Sequence, residues 1–151
     1  MKHAPRDIFY VSIQILLFIT YLFRITSIDF HTSSLFRYAG LVLAIAGIAL
    51  IIISSITLKK NLTPFPSSKD DSTLIISGVY KYIRHPIYTG ILFTTASYGV
   101  YSENTLRLLV FITLLILFIS KAAYEETMLL KKFPQYKSYK TRTAALFPGL
   151  Y

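Results

Sequence analysis

Hydrophobic residues gather in four blocks along the chain, and short polar segments separate them. The blocks are 8–28, 36–58, 87–101 and 106–124. A helix needs about 20 mostly apolar residues to cross a membrane, so the first, second and fourth blocks predict membrane-spanning helices. The third block has only 15 residues and carries no charge. This block could form a tilted span, a re-entrant helix or a buried core helix.

The first block is predicted to be a retained span rather than a cleaved signal peptide. Lys2 and Arg6 give it a charged start, as in a signal peptide. However, its apolar stretch is longer than the roughly 7–15 residues of a signal-peptide core, and no small-residue cleavage motif follows it.

Basic residues are distributed unevenly between the segments that flank the blocks. Thirteen of the 16 lie at the N-terminus and in the segments 59–84 and 121–142, whereas the other three are Arg24, Arg37 and Arg107. Because Lys and Arg concentrate on the cytoplasmic side of membrane proteins, both termini and the central loop are predicted to be cytoplasmic. This arrangement needs four spans. The predicted fold is an all-α, polytopic membrane helical bundle of about four transmembrane helices.

The composition supports a membrane protein and argues against a nucleic-acid partner and a metal site. Hydrophobic residues make up 54% of the chain and charged residues 15%, against about 25% charged in an average soluble domain. The net charge of +9 is expected to face anionic lipid rather than nucleic acid. There is no Cys, and the three His (His3, His31 and His85) lack the spacing of metal ligands, so we expect no metal site.

Small residues share one face of the second block and one face of the third. Such faces let membrane helices approach closely, which predicts close helix packing at both of them. The residues are Gly40, Ala44 and Gly47 in the second block and Gly90, Thr94 and Ser97 in the third.

Polar side chains cluster at 77–90 and 121–126, around the start of the third block and the end of the fourth. Pro86 suits the first turn of a helix. If the fourth helix continues, Lys121 and Glu125 share a face, whereas Glu126 points about 100° away. A solvated helix end with Lys121 paired to Glu125, or basic and tyrosine anchors at the lipid surface, would explain these residues without a function. Their occurrence together on one predicted membrane side instead favours a functional site.

Several motifs in these clusters resemble the isoprenylcysteine carboxyl methyltransferase family, which is related to the phospholipid methyltransferases. The resemblance covers about residues 59–149, in the same order and spacing. The motifs are 61–64 (NLTP), 74–77 (LIIS), 78–80 (GVY), 84–90 (RHPIYTG), 125–126 (EE), 133–139 (FPQYKSY) and 147–149 (FPG). We therefore expect one membrane-embedded domain over 1–151, with two supporting spans in 1–58 and a motif-bearing catalytic block in 59–151.

The resemblance implies S-adenosylmethionine as cofactor, bound at the cytoplasmic ends of the last two helices. The implied cofactor contacts are Thr73, Leu74, Ile75, Tyr80, His85, Pro86, Ile87, Tyr88 and Glu125. Arg84, Lys121 and Glu126 are expected on the catalytic side. Lys121 stands where the family has an Arg, and Lys lacks the bidentate fork that binds a carboxylate. In physical terms, the rings of Tyr80 and Tyr88 are expected to pack on adenine or on the methyl sulfonium.

The implied activity is methyl transfer to a lipophilic small molecule or lipid in the bilayer, with a carboxylate acceptor favoured. A phospholipid amine is the first alternative, and it would need a base such as Glu126 or Tyr80. A non-catalytic membrane adaptor with the same fold is the second. Whether the chain forms a homodimer is left open.

Overall fold

The computed structural model describes residues 4–23, 29–67 and 72–148. Over these ranges the chain is helical, with isolated bridges instead of strands. The helices are α1 (Pro5–Leu22), α2 (Ser34–Leu58), α3 (Pro86–Tyr101), α4 (Thr105–Lys132) and α5 (Tyr136–Lys140). Among the residues used in the predictions above, Lys2, His3, Arg24, Lys69 and Gly149 lie outside the described ranges.

Three of the four predicted spans are long and apolar enough to cross a membrane, namely α1, α2 and α4. The third block forms α3, which has 16 residues and is about 24 Å long at 1.5 Å per residue. This is shorter than the roughly 30 Å hydrocarbon core of a bilayer. A fourth complete span, the cytoplasmic placement of the termini and the division at residue 58 stay predictions.

Local signals set where the later helices begin and end. Pro86 occupies the first turn of α3 and His85 lies just before it, which confirms the predicted start. Asn104 caps α4 by accepting a hydrogen bond from the backbone N–H of Arg107 at 3.1 Å. The fourth helix continues past its apolar block through Glu126 to Lys132, shortly before Pro134, whose ring cannot continue a helix.

The small-residue faces of α2 and α3 pack directly against each other, which confirms the predicted close packing and identifies the partner of each face. A Cβ atom added at Gly47 would lie 2.8 Å from the Gly90 carbonyl oxygen, and one at Gly90 would lie 2.9 Å from the Gly47 carbonyl oxygen. Thr94 donates hydrogen bonds within this contact to the carbonyls of Gly90 and Ala44, at 2.8 and 3.4 Å. The two backbones can approach this closely only because both positions lack a side chain.

The core lies between α3 and α4. Helix α1 packs against it, and so does the C-terminal segment, which is residues 133–148. Its centre includes Leu92, Leu114 and Phe118. The C-terminal segment crosses the start of α3, where Thr89 donates a hydrogen bond to the carbonyl of Leu146 at 2.7 Å. The fold thereby brings the two polar clusters and the C-terminal segment to the same end of the helices.

Candidate functional site

A cavity of about 390 Å³ lies where α3 begins and α4 nears its end. Its volume falls in the range of roughly 300–1,000 Å³ that is typical of small-molecule sites. Its walls come from α1, the end of α2, the loops that follow α2, the first turns of α3, the last turns of α4 and the C-terminal segment. Residues from nearly the whole length of the chain therefore converge on one space.

The Glu125 carboxylate is held in a fixed orientation at the cavity wall. The Tyr88 hydroxyl donates a hydrogen bond to its Oε2 at 3.0 Å, and His85 Nδ1 lies 3.6 Å from the same oxygen. The Tyr88 ring stacks nearly parallel to those of His85 and Phe118, with centroids 5.3 and 4.6 Å away. These stacks pack the ring against its protein neighbours, and its predicted contact with a ligand stays a prediction. The contribution of Tyr88 that the structure shows is its hydroxyl.

Glu126 points away from Glu125 and forms a buried ion-pair network behind the cavity. Arg84 Nε donates to its Oε1 and Lys140 Nζ donates to its Oε2, each at 2.6 Å. Arg84 also donates to the backbone carbonyls of Lys140, at 3.0 Å, and Thr143. The side chains of Arg84 and Glu126 are only 7% and 6% exposed. This network fixes the C-terminal segment against the start of α3.

Lys121 marks the inner end of the cavity, between α4 and α1. Its ammonium donates to Gln14 Oε1 at 2.7 Å and to the Pro64 carbonyl at 2.8 Å, and lies 5.3 Å from the centroid of the Tyr88 ring. Lys121 is 1% exposed to solvent. Among the described contacts, its donors go to these two oxygens and not to Glu125, so the simple pairing of Lys121 with Glu125 is wrong.

The C-terminal segment closes one side of the cavity through backbone pairing. Arg84 and His85 donate their N–H groups to the carbonyls of Ala144 and Ala145, at 2.9 and 3.0 Å. The Tyr139 hydroxyl donates to the Tyr80 carbonyl at 2.5 Å. Tyr80 itself is placed by a short 3-10 turn that starts at Gly78, whose φ of 60° is the left-handed conformation that glycine tolerates.

Burial keeps the phenols of Tyr80 and Tyr139 protonated. It raises the pKa of Tyr139 to about 12, where the charge of Arg84 opposes the shift in part. Burial also raises the pKa of Tyr80 above its ordinary value, and the neighbouring Glu125 carboxylate adds to that shift. Tyr80 is therefore a neutral hydrogen-bond donor at pH 7, which argues against it as a phenolate base.

Most of the predicted site residues line the cavity. They are Thr73, Leu74, Ile75, Tyr80, Arg84, His85, Ile87, Tyr88, Lys121 and Glu125. Pro86 is buried at the start of α3 and Glu126 is buried in its ion pairs, so neither is part of the lining. The catalytic parts predicted for Arg84, Lys121 and Glu126 stay predictions.

Sequence reasoning missed several lining residues, most notably Gln14, Tyr136 and Tyr139. The two tyrosines lie in the motif 133–139, and the resemblance of that motif to the family is the signal that could have found them. Gln14 had a simpler signal, because an amide in the middle of an apolar block is costly unless it has a partner.

Comparison with known proteins identifies the family. The profile of the phospholipid methyltransferase family matches residues 35–136, which is more than half of the chain. The chain belongs to this family. It is also similar to the cobalt-zinc-cadmium resistance protein CzcN of Cupriavidus metallidurans, at 28% identity over 85 residues, which is 56% of this chain and 39% of that protein.

The structure is similar to that of a eukaryotic intramembrane Ras methyltransferase, isoprenylcysteine carboxyl methyltransferase. The TM-score is 0.70 and the identity 25%, over 99% of this chain and 55% of that chain. This similarity confirms the resemblance predicted from the motifs, and with the three apolar helices it identifies an integral membrane protein. The chain spans about half the length, or less, of these two relatives.

Proposed function

We propose that the chain is a membrane-embedded methyltransferase that transfers a methyl group from S-adenosylmethionine to the carboxylate of a lipophilic acceptor. Family membership and the shared fold support methyl transfer. The observation that carries the proposal is that one cavity holds both an oriented carboxylate, Glu125, and an ammonium, Lys121, at the contact between α1 and α4.

The residues around Glu125 fit the donors and charges of S-adenosylmethionine. Glu125 accepts hydrogen bonds from its ribose hydroxyls or its ammonium. The first N–H groups of a helix have no partner within the helix and favour anions. Those of Ile87 and Tyr88 at the start of α3 suit its carboxylate, and the ring of Tyr80 suits adenine or the sulfonium.

Methyl transfer to a carboxylate needs alignment rather than acid–base catalysis. The bound cofactor supplies an electrophilic methyl group. The acceptor oxygen forms the new C–O bond as the C–S bond breaks, and the electron pair of that bond stays on sulfur. The products are a methyl ester and S-adenosylhomocysteine, and no proton moves. Lys121 holds the acceptor and Glu125 orients the cofactor, so proximity supplies most of the rate.

Arg84 and Glu126 act in this proposal as positioning residues. Arg84 and Glu126 form an ion pair with each other. Glu126 also pairs with Lys140, and Arg84 donates to the backbone of the C-terminal segment. We place the cavity on the cytoplasmic side, because 13 of the 16 basic residues lie in the segments at its end of the helices.

N-methylation of a phospholipid amine is the second candidate, and the family match to phospholipid methyltransferases favours it. An amine must lose a proton before it attacks. Glu126 is enclosed by cations and the phenol of Tyr80 is protonated, so Glu125 would have to serve as base. The ammonium of Lys121 in the cavity also disfavours a cationic acceptor.

The test uses purified protein in lipid nanodiscs with radiolabelled S-adenosylmethionine. The acceptors are a farnesylated N-acetylcysteine with a free carboxylate and phosphatidylethanolamine. We expect cofactor binding and a base-labile methylated product from the first acceptor. A base-stable product from phosphatidylethanolamine alone would establish the amine reaction instead. If wild type binds no cofactor and Glu125→Ala behaves as wild type, the chain is not a methyltransferase, and the non-catalytic membrane adaptor is the remaining interpretation.

A further inference from the structure

Gln14 is the only residue that α1 contributes to the cavity wall among those described, and the proposed function gives it no part. It lies nine residues after Pro5, which is about 14 Å along the helix, well inside a span. Its contact with Lys121 joins positions 107 residues apart in sequence. This contact positions the polar amide of Gln14 beside Lys121, the cation to which the proposed function assigns the acceptor.

The orientation of the Gln14 amide follows from the chemistry of its partner. An ammonium has only donors, so the amide atom that lies 2.7 Å from Lys121 Nζ must be the oxygen. The N–H2 group therefore occupies the other branch of the amide. Within the described residues nothing accepts a hydrogen bond from this group, and it is not among the enclosed polar atoms that lack a partner. Because Gln14 lines the cavity, this N–H2 group is available to a ligand bound there.

Lys121 also has a donor to spare. Its ammonium carries three N–H bonds, of which the Gln14 amide oxygen and the Pro64 carbonyl take two. The third N–H has no oxygen partner among the described residues. The nearby neighbour of the ammonium is the Tyr88 ring, 5.3 Å from its centroid, and a carboxylate is a stronger acceptor for this N–H than the ring. The inner end of the cavity thus presents neighbouring N–H donors from two different helices.

We propose that Gln14 is a specificity-determining residue for the acceptor, in an inference that rests on the proposed function. Gln14 Nε2 and the third N–H of Lys121 bind the two oxygens of one carboxylate. An Arg would offer both donors from a single planar fork, and a Lys alone cannot. The pair of Gln14 and Lys121 replaces that fork. Because the amide oxygen is held by Lys121, the amide cannot turn to accept from a cationic amine without losing that bond.

The test measures KM for the farnesylated N-acetylcysteine and Kd for S-adenosylmethionine in nanodiscs. Gln14→Leu should raise KM by about ten-fold or more, because it removes a hydrogen bond to a charged group. Gln14→Glu should raise KM further, because its carboxylate repels that of the acceptor. Neither variant should change Kd for the cofactor. Thr20→Val on the same helix, which removes only a bond to the Leu16 carbonyl, is the matched control and should behave as wild type.

A second-site variant separates a binding role from a structural one. Adding Lys121→Arg to Gln14→Leu places two donors on one side chain and should recover most of the lost affinity for the carboxylate. Unchanged KM in Gln14→Leu would overturn the inference, as would an equal loss of cofactor affinity or a failure of Lys121→Arg to rescue. Wild-type protein that binds no cofactor, or makes only a base-stable product, would overturn the proposed function, and the inference with it.

Discussion

The two ends of the helix bundle carry similar residue types in different surroundings. At the cavity end, Arg84 and Glu126 are almost fully enclosed and pair directly. At the opposite end, Glu103 and His31 lie 3.5 Å apart, but the His31 side chain is 92% exposed. Neither the cavity nor the network behind it reaches this second end.

Arg37 and Arg107, the basic residues described at the opposite end, lie against aromatic rings. Arg107 lies 4.8 Å from the centroid of the Tyr98 ring and Arg37 lies 5.5 Å from that of Tyr101. Such contacts keep a cation partly hydrated while it covers apolar surface. A buried charge, in contrast, is stable only when it is paired and hydrogen-bonded. The comparison therefore distinguishes two kinds of charge. Arg37 and Arg107 cover apolar surface at the opposite end, whereas Arg84 and Glu126 hold the structure around the cavity.

The largest expected effect comes from breaking the buried network. Glu126→Gln removes the charge that Arg84 and Lys140 share. The buried Arg84 then lacks its carboxylate, whereas the Lys140 side chain, which is 45% exposed, can turn to water. The free energy of unfolding should fall by about 3–5 kcal/mol. Arg37→Ala at the opposite end should change it by about 0.5 kcal/mol or less. Denaturant unfolding in detergent measures both, and equal losses in the two variants would erase the distinction between the ends.

The next effect is on cofactor affinity. Glu125→Ala removes a carboxylate that the proposed function pairs with the cofactor, and it also releases the Tyr88 hydroxyl. Binding of S-adenosylmethionine should weaken by about 10- to 100-fold, the range for one hydrogen bond to a charged group. Glu103→Ala is the matched acid at the opposite end and should bind the cofactor as wild type does. Equal affinity in both variants would remove Glu125 from the site.

Local patterns in the sequence predict some features of the cavity end but not the partners of its buried charges. The start of α3 follows from Pro86, and the divergence of Glu125 and Glu126 follows from helical geometry, because neighbours differ by about 100°. Lys140 as a partner of Glu126, and Gln14 as a partner of Lys121, were not predicted. These pairs depend on which helices pack together over long separations, and neither residue has a local pattern that names its partner.

A smaller effect is expected where α2 crosses α3, between the two ends. Gly47→Ala places a methyl group 2.8 Å from the Gly90 carbonyl oxygen and 2.5 Å from Thr94 Oγ1. The threonine can rotate but the backbone carbonyl cannot, so the helices must separate, at about 1–3 kcal/mol. Ala46→Leu on the exposed side of α2 is the control and should leave thermal stability nearly unchanged. If both variants melt together, close packing is not what holds these helices.

The smallest expected effect is that of Glu103→Gln, and its pH dependence identifies its source. The backbone N–H of Thr32 donates to the Glu103 carboxylate at 3.0 Å, and this bond lowers the pKa of Glu103. A lowered pKa means that the carboxylate stabilises the fold above the unfolded value of about 4.3, and that this contribution is lost as the pH falls through the folded value.

At pH 7 the variant should melt slightly below wild type but above Gly47→Ala, since the Gln oxygen still accepts from Thr32 and the lost ion pair has a largely exposed partner, His31. The difference from wild type should shrink as the pH falls below the unfolded value of about 4.3, and should disappear below the lowered folded pKa of Glu103. Thermal melts of both proteins across that range measure it. A difference that grows on acidification, or one as large as that of Glu126→Gln, would show that the opposite end holds a structural charge like those around the cavity.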